Sequence, residues 1–299
     1  AESTPTVWLG QEDLLSWIDR YDTFLFDCDG VVWLDNTPVP NAPEALAFLR
    51  KKGKQVMFVS NNATKHRSEF LSKFRNMGIQ IDEGELATSA FGAAKYIAKE
   101  FGPGCKVFVC GSKGLERELE EVGVQIVRPD SVFQALPSTA GPPLHKVDPE
   151  IKAVVAGADW ELSHRKLGYG TLCLNTIPGC RLIATNTDVL FPAADGNFYP
   201  GAGATVAPLE LCSGQKATVI GKPGPMLLDI LVATQGMDKS RTVMVGDRLD
   251  TDIQFGNEGG VQTALVLTGV THRDQAEAAA GPLRPTFALP SLGDIALAA

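Results

Sequence analysis

The sequence predicts an α/β protein in which a parallel-sheet core carries a smaller, inserted α/β domain. Short apolar strands alternate with helical segments, an order that requires right-handed crossovers and a parallel sheet. The alternation breaks at residues 102–104 (Gly-Pro-Gly), where a second series begins, and the first pattern resumes near residue 201. We therefore expect a core in two parts, 1–102 and 201–299, with the insertion at 103–200.

The first core segment begins with a short amphipathic helix at 11–20 and a strand at 23–26. This strand is apolar, β-branched and aromatic, as expected for one buried on both faces. A helix at 43–52 has proline in its first turn and basic residues in its last, where they complement the helix dipole. The other elements expected in this segment are a strand at 56–59 and helices at 65–77 and 88–101.

The remaining segments continue the alternation of strands and helices. In the insertion we expect strands at 106–110, 124–127, 152–156 and 181–185, helices at 114–122 and 163–175, and a proline-rich surface loop at 136–149. The resumed core is expected to contain helices at 204–212 and 225–235, strands at 218–220, 242–245 and 263–267, and surface helix and loop from residue 275 onward.

The composition argues against several kinds of partner. The net charge is −8, so the basic surface that nucleic acids and anionic membranes require is not expected. No apolar run approaches the roughly 20 residues of a membrane helix. The six cysteines form no Cys-x-x-Cys pair, and the first residues lack a secretory pattern. We expect reduced thiols and a cytoplasmic location.

Two aspartates follow directly after the first predicted core strand. Asp27 and Asp29 are separated only by Cys28, which should point into the core, and Gly30 comes next. Neighbouring carboxylates repel each other, unless a positive charge lies between them or their pKa values are driven apart. One carboxylate could then act as a nucleophile while the other transfers a proton. The alternative is an acidic hairpin turn closed by Asp29 and Gly30.

Further polar residues follow later strands. Ser60, Lys222 and Asp247 each come at or just after a predicted strand end, and Asp252 starts the helix after Asp247. If these strands share one sheet edge, phosphoryl transfer explains the set. Mg²⁺ would lie between Asp27 and Asp247, Ser60 and Lys222 would bind the phosphate, and Asp252 would orient its neighbours. Singly, Ser60 could be a helix cap, Lys222 a surface lysine, Asp247 a helix cap and Asp252 a first-turn acid.

Four short motifs occur in a recognisable order. They are Asp-Cys-Asp-Gly-Val at 27–31, Ser-Asn-Asn at 60–62, Gly-Lys-Pro at 221–223, and Gly-Asp-Arg at 246–248 with Thr-Asp at 251–252. In this order they resemble the motifs of the haloacid dehalogenase (HAD) superfamily of phosphatases. The chain is similar to the branch that contains eukaryotic 4-nitrophenylphosphatases, phosphoglycolate phosphatases and pyridoxal phosphate phosphatase. The resemblance covers nearly the whole chain.

This resemblance implies a Rossmann-like core and a mobile C2-type cap inserted between the second and third motifs. It also implies an aspartyl-phosphate intermediate on Asp27, with Asp29 as general acid and base. Mg²⁺ would be bound by Asp27, the main-chain carbonyl of Asp29 and Asp247. Asn61 would help to bind the phosphate.

A cap over such a site would restrict the substrate to a small phosphorylated metabolite. A carboxylate-bearing ester such as 2-phosphoglycolate is favoured, because a guanidinium binds carboxylate in a fork geometry. Pyridoxal phosphate and sugar phosphates are alternatives, and a homodimer is possible. The candidate specificity residues are Asn62, Asp159, His164, Arg165, Asn186, Asp188 and Arg248.

Other classes of function are weaker. Residues 201–207 match the Gly-x-Gly-x-x-Ala dinucleotide pattern, but residues 199–200 before them do not form a convincing strand, so we interpret the pattern as a turn into a helix. A catalytically silent metabolite-binding regulator could share the fold. Such a protein would have no need to keep both Asp27 and Asp29.

Overall fold

The computed structural model describes residues 5–128, 146–192 and 197–298. The chain divides into two compact units. The first unit comprises Ala1–Ser60, Arg67–Ala87 and Gly221–Ala299, and the second comprises Asn61–His66 and Thr88–Ile220. Most of the loop predicted at 136–149 lies outside the described residues. The predicted domain boundaries stay predictions.

The strands and helices alternate along most of the chain. The strands are β1 Val7–Trp8, β2 Thr23–Phe26, β3 Trp33–Leu34, β4 Thr37–Pro38, β5 Gln55–Ser60, β6 Leu86–Thr88, β7 Lys106–Cys110, β8 Gln125–Val127, β9 Ile151–Ala156, β10 Arg181–Ala184, β11 Leu190–Pro192, β12 Phe198–Pro200, β13 Thr218–Val219, β14 Thr242–Gly246, β15 Gln262–Val266 and β16 Phe287–Leu289. The α-helices are α1 Leu14–Asp19, α2 Ala42–Lys51, α3 Arg67–Asn76, α4 Ser89–Phe101, α5 Lys113–Glu121, α6 His164–Thr176, α7 Gly203–Ser213, α8 Met226–Gln235, α9 Gln254–Gly259 and α10 Arg273–Ala278. Single turns of 3₁₀ helix occur at Glu83–Glu85, Lys239–Arg241 and Gly281–Leu283, a longer one at Leu292–Ala298, and a π-helical turn at Leu249–Ile253.

The first unit is built on a seven-stranded sheet with the order β1-β16-β15-β14-β2-β5-β6. The pairings from β1 through to β5 are parallel. Strand β2 lies between β14 and β5, and its three apolar side chains are fully buried because helices cover both faces of such a sheet. The predicted α/β fold class is confirmed. The carboxyl ends of β14, β2 and β5 therefore lie side by side.

The chain after residue 275 differs from its prediction as surface helix and loop. Strand β16 is buried and pairs with both β15 and β1, and the turn at Leu292–Ala298 places Leu292 and Ile295 in the core. A three-residue parallel strand has too little sequence for a recognisable pattern. Its burial comes from its neighbours in the sheet, so the sequence analysis missed it, together with β1.

The second unit contains a five-stranded sheet with the order β13-β10-β9-β7-β8, in which all pairings are parallel. The sequence analysis assigned α7 and β13 to the resumed core. The structure instead pairs β13 with β10 and packs Val206 and Leu209 of α7 into the apolar cluster around Tyr169 and Cys173. Both elements are apolar, and an apolar pattern does not reveal which of two sheets a strand joins or a helix packs against.

A separate antiparallel pair, β11 and β12, precedes α7. Residues 199–200, which the sequence analysis did not interpret as a strand, belong to β12. This strand is exposed and antiparallel, unlike the buried parallel strand that opens a dinucleotide-binding turn. Among the described helices, none has both the length and the apolar character needed to cross a membrane.

The buried role of β16 can be tested by replacing one leucine in it. Leu289 is fully buried, so Leu289→Ala should lower the free energy of unfolding by about 2–5 kcal/mol. Leu297, in the following 3₁₀ turn, is 54% exposed, so Leu297→Ala should change it by less than about 0.5 kcal/mol. Urea denaturation followed by circular dichroism would measure both. Equal effects would contradict the position of β16.

Candidate active site

The polar centre of the first unit is the side chain of Lys222. Its ammonium donates to Asp27 Oδ1 at 2.5 Å, to Asp252 Oδ1 at 2.7 Å and to the carbonyl of Val59 at 3.2 Å. Only 3% of its side chain is exposed. Burial alone would lower the pKa of Lys222, but the charges of Asp252 and Asp27 raise it. The lysine therefore stays charged between two carboxylates.

Lys222 reaches this position in a way that the sequence analysis did not foresee. The strand before it, β13, belongs to the sheet of the second unit, whereas Gly221 and Lys222 already belong to the first. The lysine thus comes from the loop after β13, not from a strand end of the seven-stranded sheet. The lysine nevertheless contacts two acids of the predicted site, Asp27 and Asp252.

Asp247 and Asp252 are joined through the main chain at the end of β14. Asp252 Oδ2 accepts from the backbone N–H groups of Asp247 and Arg248, both at 3.1 Å. Asp247 Oδ2 in turn accepts from the N–H of Val270 at 2.8 Å. Both oxygens of Asp252 are therefore engaged, which fits the predicted role of orienting its neighbours.

Three glycines make room for these carboxylates. A Cβ atom on Gly30 or Gly269 would lie 2.5 or 1.9 Å from Asp247 Oδ2, and one on Gly246 would lie 2.1 Å from Asp252 Cβ. Gly30 also has a φ of +86°, which other residues rarely adopt. The backbone thus closes around the acids more tightly than a side chain would permit.

Burial, together with the charges of neighbouring acids, raises the pKa values of Asp27 and Asp247. Burial is the main cause for Asp27, whose pKa lies well above its usual value despite Lys222. Burial and the charge of Asp252 raise the pKa of Asp247 to about 7. Asp27, Asp247 and Asp252 each place an oxygen within 4.8 Å of the others. A divalent cation with oxygen ligands would neutralise this excess charge, so these residues fit a hard metal ion.

The carboxyl group of Asp29 is not one of the three grouped acids of the first unit. Its Oδ1 accepts from the indole Nε1 of Trp33 at 2.7 Å and lies 3.5 Å from Lys73 Nζ, while 55% of the side chain is exposed. The sequence analysis gave no role to either partner. Trp33 lies four residues after Asp29, but Lys73 comes from α3 and carries no motif.

Cys28 and Ser60 lie at neighbouring strand ends in the first unit. Cys28 is fully buried, as predicted, and burial raises the pKa of its thiol well above the usual value, which disfavours the reactive thiolate form. Ser60 is the last residue of β5, and its side chain is buried. Arg248, after β14, forms a two-pronged ion pair with Asp250 at 3.0 and 2.8 Å.

Seven of the predicted residues lie in the second unit, and three of them, Asn61, Asn186 and Asp188, contact one another. Asn61 Nδ2 donates to both carboxylate oxygens of Asp188 at 3.2 Å, and Asn186 Nδ2 donates to the carbonyl of Asn61 at 2.7 Å. Asn186 Oδ1 accepts from the N–H of Asp188 at 3.0 Å. Asn62 instead closes a local turn, accepting from the backbone and hydroxyl of Thr64.

The other candidates in the second unit do not join that group. The Asp159 side chain is buried and ion-paired with Lys166 at 2.8 Å, which gives it a structural role in the unit. His164 and Arg165 are exposed at the start of α6. Charged residue types in the sequence do not show which of them will be buried, exposed or hydrogen-bonded to Asn61.

Comparisons with known proteins show the family of the chain. A family model of haloacid dehalogenase-like hydrolases matches residues 24–125, and a HAD-hydrolase-like model matches residues 219–295. The chain is 39% identical over 279 residues to phosphoglycolate phosphatase 1A, chloroplastic, of Arabidopsis thaliana, covering 93% of this chain and 77% of the relative.

Two solved structures are also similar. The 4-nitrophenylphosphatase of Thermotoga maritima has a TM-score of 0.79 at 31% identity and covers 94% of this chain and 98% of its own. The glycerol phosphate phosphatase of Mycobacterium tuberculosis in complex with magnesium has a TM-score of 0.78 at 30% identity, covering 93% and 77%.

The chain belongs to the haloacid dehalogenase-like hydrolase family. The predicted family and enzyme class are confirmed, since its relatives are named as phosphatases. The cytoplasmic location and the homodimer stay predictions, and one relative is named as chloroplastic.

The central place of Lys222 can be tested by its removal. Lys222→Met should lower the free energy of unfolding by about 3–5 kcal/mol in metal-free protein, because two buried carboxylates lose their counter-charge. Lys239→Met is the matched control, since Lys239 pairs with Asp229 at the surface, and should cost less than about 1 kcal/mol. Thermal and urea denaturation would compare them. Similar losses would show that the Lys222 contacts are not stabilising.

Proposed function

We propose that the protein hydrolyses small phosphate monoesters in a Mg²⁺-dependent reaction, with Asp27 as nucleophile and Asp29 as general acid and base. The favoured natural substrate is 2-phosphoglycolate. The observation that carries the proposal is the ammonium of Lys222 held between Asp27 and Asp252, with Asp247 beside them, where parallel strands end. This arrangement can bind a phosphate dianion next to a carboxylate that attacks it.

The reaction takes two steps, and the contacts of Asp27 suggest which oxygen reacts. Lys222 binds Oδ1, which leaves Oδ2 of Asp27 to attack phosphorus. As that bond forms, the bond from phosphorus to the ester oxygen breaks, and Asp29 gives its proton to the departing oxygen. Asp29 then takes a proton from water, whose oxygen attacks the aspartyl-phosphate. The phosphorus bond to Asp27 breaks and phosphate leaves.

Positive charge and hydrogen-bond donors make this attack possible. An anionic nucleophile approaching an anionic phosphate is repelled, so the charge of the phosphate oxygens must be balanced. We assign that role to the Lys222 ammonium and to the hydroxyl of Ser60 at the end of β5. Asn61 follows Ser60 directly, but its side-chain amide is bound to Asp188, so we assign its contribution to the backbone N–H.

The metal assignment rests on the acids of the first unit. Asp27, Asp247 and the main-chain carbonyl of Asp29 would hold Mg²⁺, while Asp252 fixes the backbone that carries Asp247. When bound, the ion supplies charge neutralisation for the phosphate and the attacking carboxylate. The oxygen-only donor set fits Mg²⁺, and a relative with a similar fold is described in complex with magnesium.

The preference for 2-phosphoglycolate is supported by the 39% identical phosphoglycolate phosphatase. The solved relatives named for 4-nitrophenyl phosphate and glycerol phosphate keep other small esters as alternatives, beside pyridoxal phosphate and sugar phosphates. Arg165 is an exposed guanidinium that could bind a substrate carboxylate, whereas Arg248 is engaged by Asp250. A silent metabolite-binding regulator is the alternative from another class.

A panel of esters tests the reaction and the nucleophile together. We expect the wild type to release phosphate from small esters only with Mg²⁺, and Asp27→Asn to release essentially none while keeping its fold. The panel comprises 2-phosphoglycolate, glycerol 3-phosphate, pyridoxal phosphate, sugar phosphates and 4-nitrophenyl phosphate, ranked by kcat/KM. Asp229→Asn, an exposed acid in α8, is the control and should be fully active. Turnover by Asp27→Asn near the wild-type rate would remove Asp27 from its role.

Metal binding should depend on pH through Asp247. Because its raised pKa is about 7, the carboxyl is largely protonated below that pH, and a metal ion must displace the proton. Mg²⁺ affinity should therefore fall up to about tenfold per pH unit below about 7 and level off above it. Titration calorimetry with Mg²⁺ at about pH 6 and about pH 8 measures this. Asp247→Asn should bind weakly at both, and an affinity that does not change with pH would contradict the assignment.

A further inference from the structure

In the described part of the chain, the carboxyl group of Asp29 accepts a hydrogen bond on one oxygen only. Trp33 Nε1 donates to Oδ1 at 2.7 Å, and Lys73 Nζ lies 3.5 Å from the same atom. Among the described residues, no hydrogen bond reaches Oδ2. The two oxygens of one carboxyl group therefore have different surroundings, and this difference follows from where the two donors are fixed.

Trp33 is a rigid donor. Its side chain is fully buried, and its ring meets the edge of Phe74 at a centroid distance of 4.7 Å. Its carbonyl accepts from the N–H of Gly30 at 2.8 Å, which closes the loop that carries Asp29. The indole N–H thus has a fixed position relative to the backbone of Asp29, and a hydrogen bond to it sets the plane of the carboxyl group.

Lys73 reaches the same place from α3. Its ammonium lies 4.3 Å from the centroid of the Trp33 ring, within the range of a cation–π interaction. Helix α3 also carries Phe74. The same helix therefore packs against the tryptophan ring and supplies the ammonium group near Oδ1. The three side chains form one connected group, which we term the Asp29 clamp: Trp33, Lys73 and Phe74.

We propose that Trp33 and Lys73 are positioning residues that hold Asp29 Oδ1, so that Oδ2 is the oxygen that gives and takes the proton. A hydrogen-bond donor and an ammonium at Oδ1 disfavour a proton on that atom, so the proton of the acid form resides on Oδ2. This inference rests on the proposed function, because it assigns the geometry of its general acid. In the first step the proton passes from Oδ2 to the departing ester oxygen, and in the second it returns to Oδ2 from water.

A second buried tryptophan shows that this contact is not a general property of tryptophans in the unit. Trp17 is as buried as Trp33, yet its indole N–H meets no hydrogen-bond acceptor within the described part of the chain. It packs edge-on against Tyr21, Phe24 and Phe287. Trp17→Phe therefore removes a similar volume from the same core without touching Asp29, and it is the matched control for Trp33→Phe.

The test compares two leaving groups. An alkoxide needs a proton to leave, whereas 4-nitrophenolate leaves without one, so a misplaced general acid slows alkyl esters selectively. Trp33→Phe should lower kcat about tenfold for the faster of 2-phosphoglycolate and glycerol 3-phosphate, and less than about twofold for 4-nitrophenyl phosphate, with KM little changed. Trp17→Phe should change both by less than about twofold. Equal losses on both esters, or equal values for the two variants, would overturn the inference.

Lys73 offers a variant that leaves the core intact, because its side chain is partly exposed. Lys73→Met should lower kcat about threefold for the alkyl ester and leave kcat for 4-nitrophenyl phosphate nearly unchanged. Lys73→Arg should restore most of the kcat lost on the alkyl ester. Lys52→Met is the control, since Lys52 also lies over an aromatic ring, 6.0 Å from the Phe48 centroid, and pairs with Asp19 at 2.8 Å. A selective loss of kcat on alkyl esters in Lys52→Met, or no such loss in Lys73→Met, would count against the clamp.

Nuclear magnetic resonance separates the contact from the activity. The indole N–H signal of Trp33, assigned by its absence in Trp33→Phe, should move upfield in Asp29→Ala and stay in place in Asp250→Ala. No movement in Asp29→Ala would overturn the inference whatever the kinetics. If the signal moved but the wild type hydrolysed no ester, the contact would be real and the proposed function would be wrong. The positioning role would then also be wrong. Turnover without ester selectivity would refute the inference alone.

Discussion

The ion pairs of Lys222 with Asp27 and Asp252 are the constraint on which the first unit depends. These side chains are 195 and 30 residues from the lysine along the chain, yet their atoms lie 2.5 and 2.7 Å away. Burying charges in a protein interior costs several kcal/mol for each ion unless partners compensate. Strands β2 and β14 must therefore lie side by side, and the loop after β13 must return to their ends. The charges of the site are therefore balanced only when the unit has this fold.

The same crowding explains why the site is suited to chemistry. Three acids share one lysine, and burial together with the charge of Asp252 raises the pKa of Asp247 to about 7, so that its carboxyl is partly protonated near neutral pH. A divalent metal ion would add positive charge to this site, and a bound phosphate dianion would add negative charge. Gly30, Gly246 and Gly269 permit the close approach, since a Cβ at any of them would meet an acid at 2.5 Å or less. The site is therefore built by backbone shape as much as by its charged side chains.

The second unit holds six of the seven residues expected to select the substrate, all but Arg248, and their contacts differ. Asn61, Asn186 and Asp188 are linked by hydrogen bonds, whereas the Asp159 side chain is buried in an ion pair. The segment Asn61–His66 belongs to this unit although it directly follows β5 of the first. It is held there by contacts of His66 with Glu118 and Glu121, and by Gly114, where a Cβ would meet the Lys65 backbone at 2.3 Å. Two consecutive residues, Ser60 and Asn61, thus belong to different units.

The sequence by itself determined the α/β class, the predicted family and the acids of the candidate site. Strand and helix periodicity is local, and Asp27, Asp247 and Asp252 stand at fixed offsets from strands that can be read in the chain. Only the tertiary structure decided what depends on distant partners. It placed β13 and α7 in the second unit, buried β16 in the central sheet, and brought Lys73 to the Asp29 oxygen that Trp33 contacts. These outcomes depend on pairing and packing energies between segments far apart in the chain, and such energies leave no pattern in either segment alone.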